Sequence, residues 1–258
     1  MAYDVKECYD WGVLGCGWLG QAFARRVSSQ GMTVWGSARS PKTLERVATT
    51  GALPVALDLG ESPDLAVLPN CRFLLIALPP SAGQAQILRA KEACLSADLK
   101  WTTCISSTSV YPNEPGLFSE SDAISRLSPH SGIRVLDIEQ ALEAPNTTYL
   151  RAGGLIGPER PLFRKSARPS DPEKRLNVVH IEDVMNAIQF VTDHQLPGPF
   201  NLVSPLHRTR TECHEGQQSP LDTAELSRQH RLISAERIER KGYSFTFPDP
   251  ASFPDLHP

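Results

Sequence analysis

Residues 12–20 read Gly12-Val13-Leu14-Gly15-Cys16-Gly17-Trp18-Leu19-Gly20, and they predict a short apolar strand, a sharp turn and the start of a helix. Gly15 allows the tight turn, Gly17 lets a ligand approach the backbone, and Gly20 lets helix and strand pack closely. The N–H groups and positive dipole end of the helix favour phosphate. Such a turn also occurs without a ligand, but its place after an N-terminal strand favours a dinucleotide site. We therefore expect contacts to a dinucleotide from Gly15, Cys16, Gly17, Trp18, Leu19 and Gly20.

Strands and helices alternate along the following part of the chain. The pattern predicts strands at 33–38, 54–59, 71–78, 101–107 and 147–151, and helices at 41–49, 81–97 and 133–142. The run at 71–78 is apolar throughout, as expected for a parallel strand that is buried on both faces. This alternation predicts an α/β fold with a doubly wound, mostly parallel sheet of the Rossmann type. Ligands of such sheets bind beyond the carboxyl ends of the strands.

The residues after the second predicted strand bear on which dinucleotide binds. Proteins that prefer NAD place Asp or Glu there, whereas this chain has Ser37-Ala38-Arg39-Ser40-Pro41-Lys42. Cations and hydroxyls suit the 2′-phosphate of NADP, because a guanidinium pairs with phosphate through two charge-assisted bonds. An ordinary solvated loop is the alternative, but together with the glycine turn we favour NADP over NAD. We expect further cofactor contacts, with helix capping as an alternative for the aspartate, from Ser37, Arg39, Ser40, Lys42, Asp58, Leu78, Pro79 and Ser106.

Composition argues against several classes of protein. The chain has 258 residues and a formal net charge of −3, so it lacks the basic footprint of a nucleic-acid-binding protein. It has no apolar run long enough to span a bilayer, and its first ten residues lack the apolar region of a signal peptide. The six cysteines show no metal-ligand spacing. We therefore expect a cytoplasmic protein with reduced thiols that binds no metal, nucleic acid or membrane.

Three further motifs follow the glycine turn in a fixed order. They are Ile105-Ser106-Ser107-Thr108-Ser109-Val110-Tyr111, Leu150-Arg151-Ala152-Gly153-Gly154-Leu155-Ile156-Gly157-Pro158 and Val178-Val179-His180-Ile181-Glu182-Asp183-Val184. Together they resemble the extended short-chain dehydrogenase/reductase superfamily, and more closely its atypical, nucleoside-diphosphate-sugar epimerase-like branch. The resemblance runs from about residue 11 to 204, with a weaker match at 242–249. It implies an NAD(P)-binding Rossmann domain at 1–157 and a small C-terminal α+β substrate lobe at 158–258, interleaved with late Rossmann elements at about 176–204.

The resemblance also implies a Ser–Tyr–Lys site, in which the tyrosine exchanges a proton with the substrate and the lysine lowers the pKa of that tyrosine. Ser107 matches the serine, which hydrogen-bonds the substrate. When the helix is aligned on Glu139, however, the tyrosine and lysine positions fall on Ser131 and Val135, and no Tyr-x-x-x-Lys exists in the sequence. Tyr111 is an alternative acid. We favour a packing or substrate-contacting role for Tyr111, because the sequence identifies no cationic neighbour to tune its pKa.

The C-terminal part holds candidate substrate contacts. Cations at 160–168, among them Arg164, stand where the resemblance places a substrate segment for a phosphate or nucleotide diphosphate, and a solvated loop is the alternative. His180 is a second candidate contact, although we favour a hydrogen-bonded structural role for it. Asp183 is expected to cap the next helix. Residues 209–229 are predicted to be a polar surface excursion, and 247–258 an extended tail.

Two functions remain open at this point. One is an NADP-dependent oxidoreductase or epimerase-like enzyme that uses Ser107 and a nonstandard acid. The other is a non-catalytic NADP(H)-binding sensor of redox or nucleotide state. The missing tyrosine and lysine favour the sensor, whereas Ser107 and the substrate lobe favour the enzyme. We expect a small-molecule substrate, with nucleotide sugars among the candidates, and a monomer or homodimer.

Overall fold

The computed structural model describes residues 8–60, 64–95, 98–123, 132–163, 171–216 and 223–257. Its strands are β1 (Cys8–Leu14), β2 (Val34–Ala38), β3 (Leu53–Ala56), β4 (Asn70–Ile76), β5 (Trp101–Ser107), β6 (Gly116–Phe118), β7 (Thr147–Ala152), β8 (Gly154–Ile156), β9 (Val178–His180), β10 (Gly198–Leu202) and β11 (Arg231–Ile233). Its helices are α1 (Trp18–Ser29), α2 (Pro41–Ala48), α3 (Gln84–Ala93), α4 (Ile133–Ala141), α5 (Ile181–Asp193), α6 (Arg210–Glu215), α7 (Thr223–Leu226) and α8 (Glu236–Arg240).

Seven strands form one sheet in the order β10-β7-β5-β4-β1-β2-β3. β1 pairs in parallel with β2 and β4, and the pairs β2–β3 and β4–β5 are parallel as well. In this register Val13 lies opposite both Gly36 and Leu75. The predicted Rossmann-type α/β fold is therefore confirmed. The chain leaves β1 toward β2 on one side and returns to β4 on the other, so β1 and β4 flank the switch point where such sheets bind ligands.

Two of the predicted elements differ from the structure by three or more residues at an end. The third strand ends at Ala56, three residues earlier than predicted. The helix predicted at 81–97 begins at Gln84, because Pro80–Ala82 forms a 3₁₀ turn and Gly83 follows it with φ of 87°. That helix ends at Ala93. Positive φ favours glycine and is not compatible with a continuous helix, so Gly83 fixes the start.

The first compact unit comprises residues 1–105, 134–149 and 191–198. Its core is built from the apolar strands and from the buried sides of the helices that follow them. Large side chains that are less than 2% exposed include Leu14, Phe23, Trp35, Leu74 and Ile87. Burial of these apolar surfaces is the main stabilising contribution to the unit.

The second compact unit comprises residues 106–133, 150–190 and 199–258. In this division, residues 106–133 and 150–157 group with the C-terminal part, and residues 191–198, within the region expected to be interleaved, group with the first unit. The physical reason is that the carboxyl ends of β5, β7 and β10 continue into the second unit. The unit contains two parallel two-stranded sheets, β6 with β11 and β8 with β9.

Two predictions for the second unit need correction. The polar region at 209–229 is not only a surface excursion, because it contains α6 and α7. The tail is not simply extended, since Pro250–Ser252 forms a 3₁₀ turn and Phe253 is buried in an apolar cluster with Ile156, Leu162, Val178 and Cys213. In the described parts of the chain, no helix combines the length and apolar character needed to cross a membrane.

Candidate functional site

The glycine turn has the geometry that its sequence predicts. Gly15 has φ of 85°, and its N–H donates to Ser37 Oγ at 3.0 Å. A Cβ at Gly15 would lie 2.9 Å from Leu78 Cδ2. A Cβ at Gly20 would lie 3.0 Å from the Gly15 carbonyl oxygen and 3.0 Å from Val13 Cγ1. The tight turn at Gly15 and the close packing of helix and strand at Gly20 are thus confirmed.

Gly17 differs from the other two glycines because it faces open space. It is the N-cap of α1 with φ of −76°, and nothing lies within 4 Å of a Cβ added there. The first turn of α1 contains no acidic residue. N–H groups in the first turn of a helix lack intrahelical acceptors and favour an anion. The open space, the donors and the absence of a carboxylate fit a diphosphate.

A cavity of about 560 Å³ opens beside this turn within the first unit. Eight of the residues predicted to contact a cofactor line it: Gly15, Cys16, Gly17, Ser37, Arg39, Asp58, Leu78 and Pro79. Eight further lining residues were missed by the sequence analysis: Ala38, Thr43, Leu57, Leu59, Gly60, Ala77, Ser81 and Ala82. Their position in the chain could have identified them, because nearly all of them follow the carboxyl ends of β2, β3 and β4, where such sheets bind ligands.

Six predicted contacts do not line this cavity as the structure describes it: Trp18, Leu19, Gly20, Ser40, Lys42 and Ser106. Leu19 and Gly20 are buried in α1. Ser40 is the N-cap of α2, and its Oγ accepts from Thr43 N–H at 3.3 Å. Ser37 does line the cavity, but its Oγ already accepts from Gly15 N–H, so it also holds the turn in place.

Two charged residues face the cavity. Arg39 and Asp58 are both exposed and both contribute to its lining. The alternative role of Asp58 as a helix N-cap is not seen in the described residues, where Asp64 caps the next helical turn by accepting from Ala66 N–H at 3.0 Å. Arg39 can therefore pair with an anion, and Asp58 can accept from an amino or hydroxyl group.

In the second unit, Ser107 and Tyr111 have different environments. Ser107 is half-buried, and its Oγ accepts from Ser109 N–H at 3.1 Å, which leaves the hydroxyl hydrogen to donate. Tyr111 is 2% exposed, donates to Asn201 Oδ1 and accepts from Arg151 Nη1 at 2.9 Å. Burial raises the pKa of Tyr111 to about 12, although the Arg151 guanidinium opposes the shift. The geometry favours the packing role of Tyr111 over that of an acid.

The remaining candidates fall into three groups. Ser131 and Arg164 lie outside the described residues. Val135, at the position of the missing lysine, is buried in α4. His180 is buried, and its Nε2 lies 3.0 Å from Asp255 Oδ2, so it makes the kind of hydrogen bond that a structural role requires.

The carboxylate of Asp183, which was predicted to cap the next helix, binds a distant segment of the chain. Asp183 lies in the first turn of α5, but its carboxylate accepts from the N–H groups of Thr246 and Phe247 at 2.6 and 3.0 Å. Tyr243 OH donates to the Asp183 carbonyl oxygen at 2.7 Å. Asp183 therefore holds the segment at 243–247 against α5, a role that sequence spacing of about 60 residues does not reveal.

Comparisons with known proteins agree with this fold. No protein-family model matches the chain. Protein YeeZ of Escherichia coli strain K12 is 28% identical over 268 residues, which cover 94% of this chain and 97% of YeeZ. A putative NAD-dependent epimerase/dehydratase from Methylobacillus flagellatus has a TM-score of 0.71 at 23% identity, covering 95% of both chains.

A short-chain dehydrogenase/reductase superfamily protein from Agrobacterium tumefaciens, solved with NAD bound, is also similar. Its TM-score is 0.69 at 19% identity, and the match covers 93% of each chain. At these identities the likeness establishes the architecture and not the reaction. The chain therefore shares the Rossmann-type fold of short-chain dehydrogenase/reductase and epimerase structures.

Proposed function

We propose that the cavity beside the glycine turn binds NADP(H). The open space at Gly17 carries this proposal, because a side chain there would occupy the place that a diphosphate needs. The first turn of α1 would hold the diphosphate and Arg39 the 2′-phosphate. Asp58, exposed on the cavity wall, is the candidate acceptor for the adenine amino group. The NAD-dependent description of the Methylobacillus structure is consistent with a dinucleotide.

We further propose an oxidoreductase or epimerase-like activity on a small molecule, with nucleotide sugars among the candidate substrates. The bound nicotinamide would supply hydride transfer. Ser107 would hold the substrate oxygen, because its hydroxyl hydrogen can donate while Oγ accepts from Ser109 N–H. The proton must come from a group other than Tyr111, whose hydroxyl is buried between Arg151 and Asn201.

A non-catalytic NADP(H) sensor is the second candidate function. Two observations favour it: the apolar Val135 stands where the lysine is expected, and burial raises the pKa of Tyr111 to about 12. A phenol with this pKa is a poor proton donor near neutral pH. A sensor requires the cofactor cavity and no proton relay.

The cofactor assignment is tested by the ratio of NADPH to NADH affinity. Arg39→Ala should weaken NADPH binding roughly ten- to a hundredfold and leave NADH nearly unchanged, since one charge-assisted phosphate contact is lost. Lys42→Ala is the matched control, because Lys42 is exposed nearby and does not line the cavity as described. Titration followed by the tryptophan fluorescence of the protein gives both affinities. An unchanged ratio in Arg39→Ala would rule out the assignment.

Turnover distinguishes the enzyme from the sensor. NADPH oxidation would be followed with a panel of carbonyl compounds, and epimerisation with nucleotide sugars including UDP-glucose. The enzyme predicts turnover that falls at least a hundredfold in Ser107→Ala and persists in the neighbouring Ser109→Ala. Tight NADPH binding with no turnover across the panel would select the sensor.

A further inference from the structure

A second cavity, in the second unit, has no role in the function proposed above. Its volume is about 460 Å³, within the range of small-molecule sites. It shares no lining residue with the cavity beside the glycine turn, which we call the NADP(H) cavity. We call it the α8 cavity, and it is lined by Ser119, Glu120, Ser121, Ser234, Glu236, Arg237, Arg240 and Lys241.

The position of the α8 cavity follows from strand pairing. β6 and β11 run in parallel, with Phe118 opposite Ile233. Ser234 N–H donates to the Phe118 carbonyl oxygen at 2.8 Å. The residues that follow both strands are therefore held side by side at one edge of this small sheet. Ligands bind at the carboxyl ends of parallel strands in larger sheets for the same geometric reason.

One wall of the cavity is cationic. Arg237, Arg240 and Lys241 contribute three positive charges against the single exposed carboxylate of Glu236. The Arg237 guanidinium carbon lies 5.0 Å from the centroid of the Phe200 ring, which restrains its orientation. Arg240 pairs with Glu236, but both side chains are exposed, so that pair contributes little and can exchange partners. The wall suits an anionic group, and phosphate in particular.

The lining of the cavity also includes a carboxylate that is held in place, that of Glu120. Glu120 is only 8% exposed, and its Oε1 accepts from Asn201 N–H at 2.7 Å. Among the described residues, the structure gives its other carboxylate oxygen no hydrogen bond. This oxygen is not among the buried polar atoms that lack a partner, so solvent reaches it and a ligand hydroxyl can donate to it.

A buried network fixes the position of Glu120. Arg151 Nη1 donates both to the Glu120 carbonyl oxygen and to Tyr111 OH, each at 2.9 Å. Tyr111 donates to Asn201 Oδ1, and Asn201 Nδ2 donates to the Ser234 carbonyl oxygen at 2.9 Å. The acceptor is thus held in place before any ligand arrives, which lowers the entropic cost of binding.

We propose that the α8 cavity binds a small phosphorylated polyol, such as a sugar phosphate. The phosphate pairs with Arg237, Arg240 and Lys241, and hydroxyl groups donate to Glu120. Ser119, Ser121 and Ser234 also belong to the lining, and serine hydroxyls suit the remaining hydroxyls of a sugar. An inorganic anion would pair with the cationic wall but would offer no hydroxyl donor to Glu120.

Calorimetric titration of the full chain with glucose 6-phosphate, glucose, inorganic phosphate and glutamate tests the proposal. Glucose 6-phosphate should bind saturably and at least tenfold more tightly than the other three probes. Arg237→Ala should weaken that binding tenfold or more, whereas Arg228→Ala, an exposed arginine outside the lining, should leave it unchanged. NADPH affinity should be the same in all variants, because the NADP(H) cavity lies in the first unit.

Glu120→Gln tests the acceptor separately. It keeps an oxygen for Asn201 N–H, and it should weaken glucose 6-phosphate while leaving phosphate unchanged. If Glu120→Gln does not fold, Ser121→Ala, at an exposed position on the same side, serves instead. The proposal is overturned if inorganic phosphate or glutamate binds as tightly as glucose 6-phosphate. It is also overturned if no probe binds or if Arg237→Ala has no effect.

Discussion

Single residues of the glycine turn differ in what an added methyl group would meet. At Gly17 it would meet nothing within 4 Å, and the φ of −76° is open to any residue. At Gly15 it would meet Leu78 and the Ala77 backbone, and the φ is 85°. Substitution by alanine should therefore affect ligand binding at Gly17 and folding at Gly15.

We expect Gly17→Ala to keep the wild-type melting temperature and to weaken NADPH binding at least tenfold, because the methyl group enters the diphosphate space. Gly15→Ala should instead lower the free energy of unfolding by about 1–3 kcal/mol through backbone strain and crowding. Thermal unfolding and NADPH titration of both variants provide the measurement. Wild-type NADPH affinity in Gly17→Ala would contradict the proposed site.

Residue types alone did not assign every side chain correctly. Ser37 was predicted to contact phosphate from its place after β2, yet its Oγ also holds Gly15 N–H across 22 residues of sequence. The cation beside Tyr111 was missed, because Arg151 lies 40 residues further along the chain. Spacing along the chain carries no information on such contacts.

At the scale of elements, α6 shows how a local signal can be overlooked in a polar region. Thr209 Oγ1 accepts from Glu212 N–H at 3.0 Å, and the Glu212 carboxylate accepts from Thr209 N–H at 2.8 Å. This capping box can be recognised in the sequence as the motif Thr-x-x-Glu. Arg175 also donates to Glu212, which joins the helix to the segment before β9.

Glu212→Gln should destabilise the second unit by about 1–3 kcal/mol at pH 7, since it removes both the ion pair and part of the cap. Burial by itself raises the pKa of Glu212. The bonds from Arg175 and from Thr209 N–H lower this pKa by more, so the net shift is downward. A carboxyl group whose pKa is lowered by folding stabilises the fold at pH values above 4.5, the ordinary pKa of a glutamate. This stabilisation is lost as the pH falls below 4.5 and through the lowered pKa.

The difference in urea midpoint between wild type and Glu212→Gln should therefore shrink from pH 7 to pH 3. Glu45→Gln, at an exposed position on α2, is the control and should show a small difference at either pH. A difference for Glu212→Gln that is constant with pH would show that Glu212 acts only through the shape of its side chain.

At the scale of the whole molecule, each compact unit contains a cavity of its own, and the second unit also contains a buried ion pair. Arg208 is 2% exposed and donates to Asp249 through Nε and Nη2, at 3.1 and 2.8 Å to Oδ2. Asp249 also accepts from Ala251 N–H. This buried pair fixes the C-terminal segment within the second unit.

Asp249→Asn should lower the free energy of unfolding of the second unit by about 3–5 kcal/mol, because the buried Arg208 charge loses its partner. NADPH affinity of the folded variant should stay within twofold of wild type, since the NADP(H) cavity lies in the first unit. Unfolding followed by circular dichroism and an NADPH titration at 10 °C provide the test. A large loss of NADPH affinity in folded Asp249→Asn would contradict the independence of the two sites.

The sequence by itself determined the parallel α/β architecture, the glycine turn and half of the residues that line the cavity beside that turn. Those features depend on local periodicity and on backbone conformations that glycine alone adopts readily. Only the tertiary structure decided the open space at Gly17, the burial of Tyr111 between Arg151 and Asn201, and the α8 cavity. The last two features join residues that are far apart in the chain, and whether space stays open at Gly17 depends on what the rest of the fold packs there; both are set by packing of the whole fold rather than by local pattern.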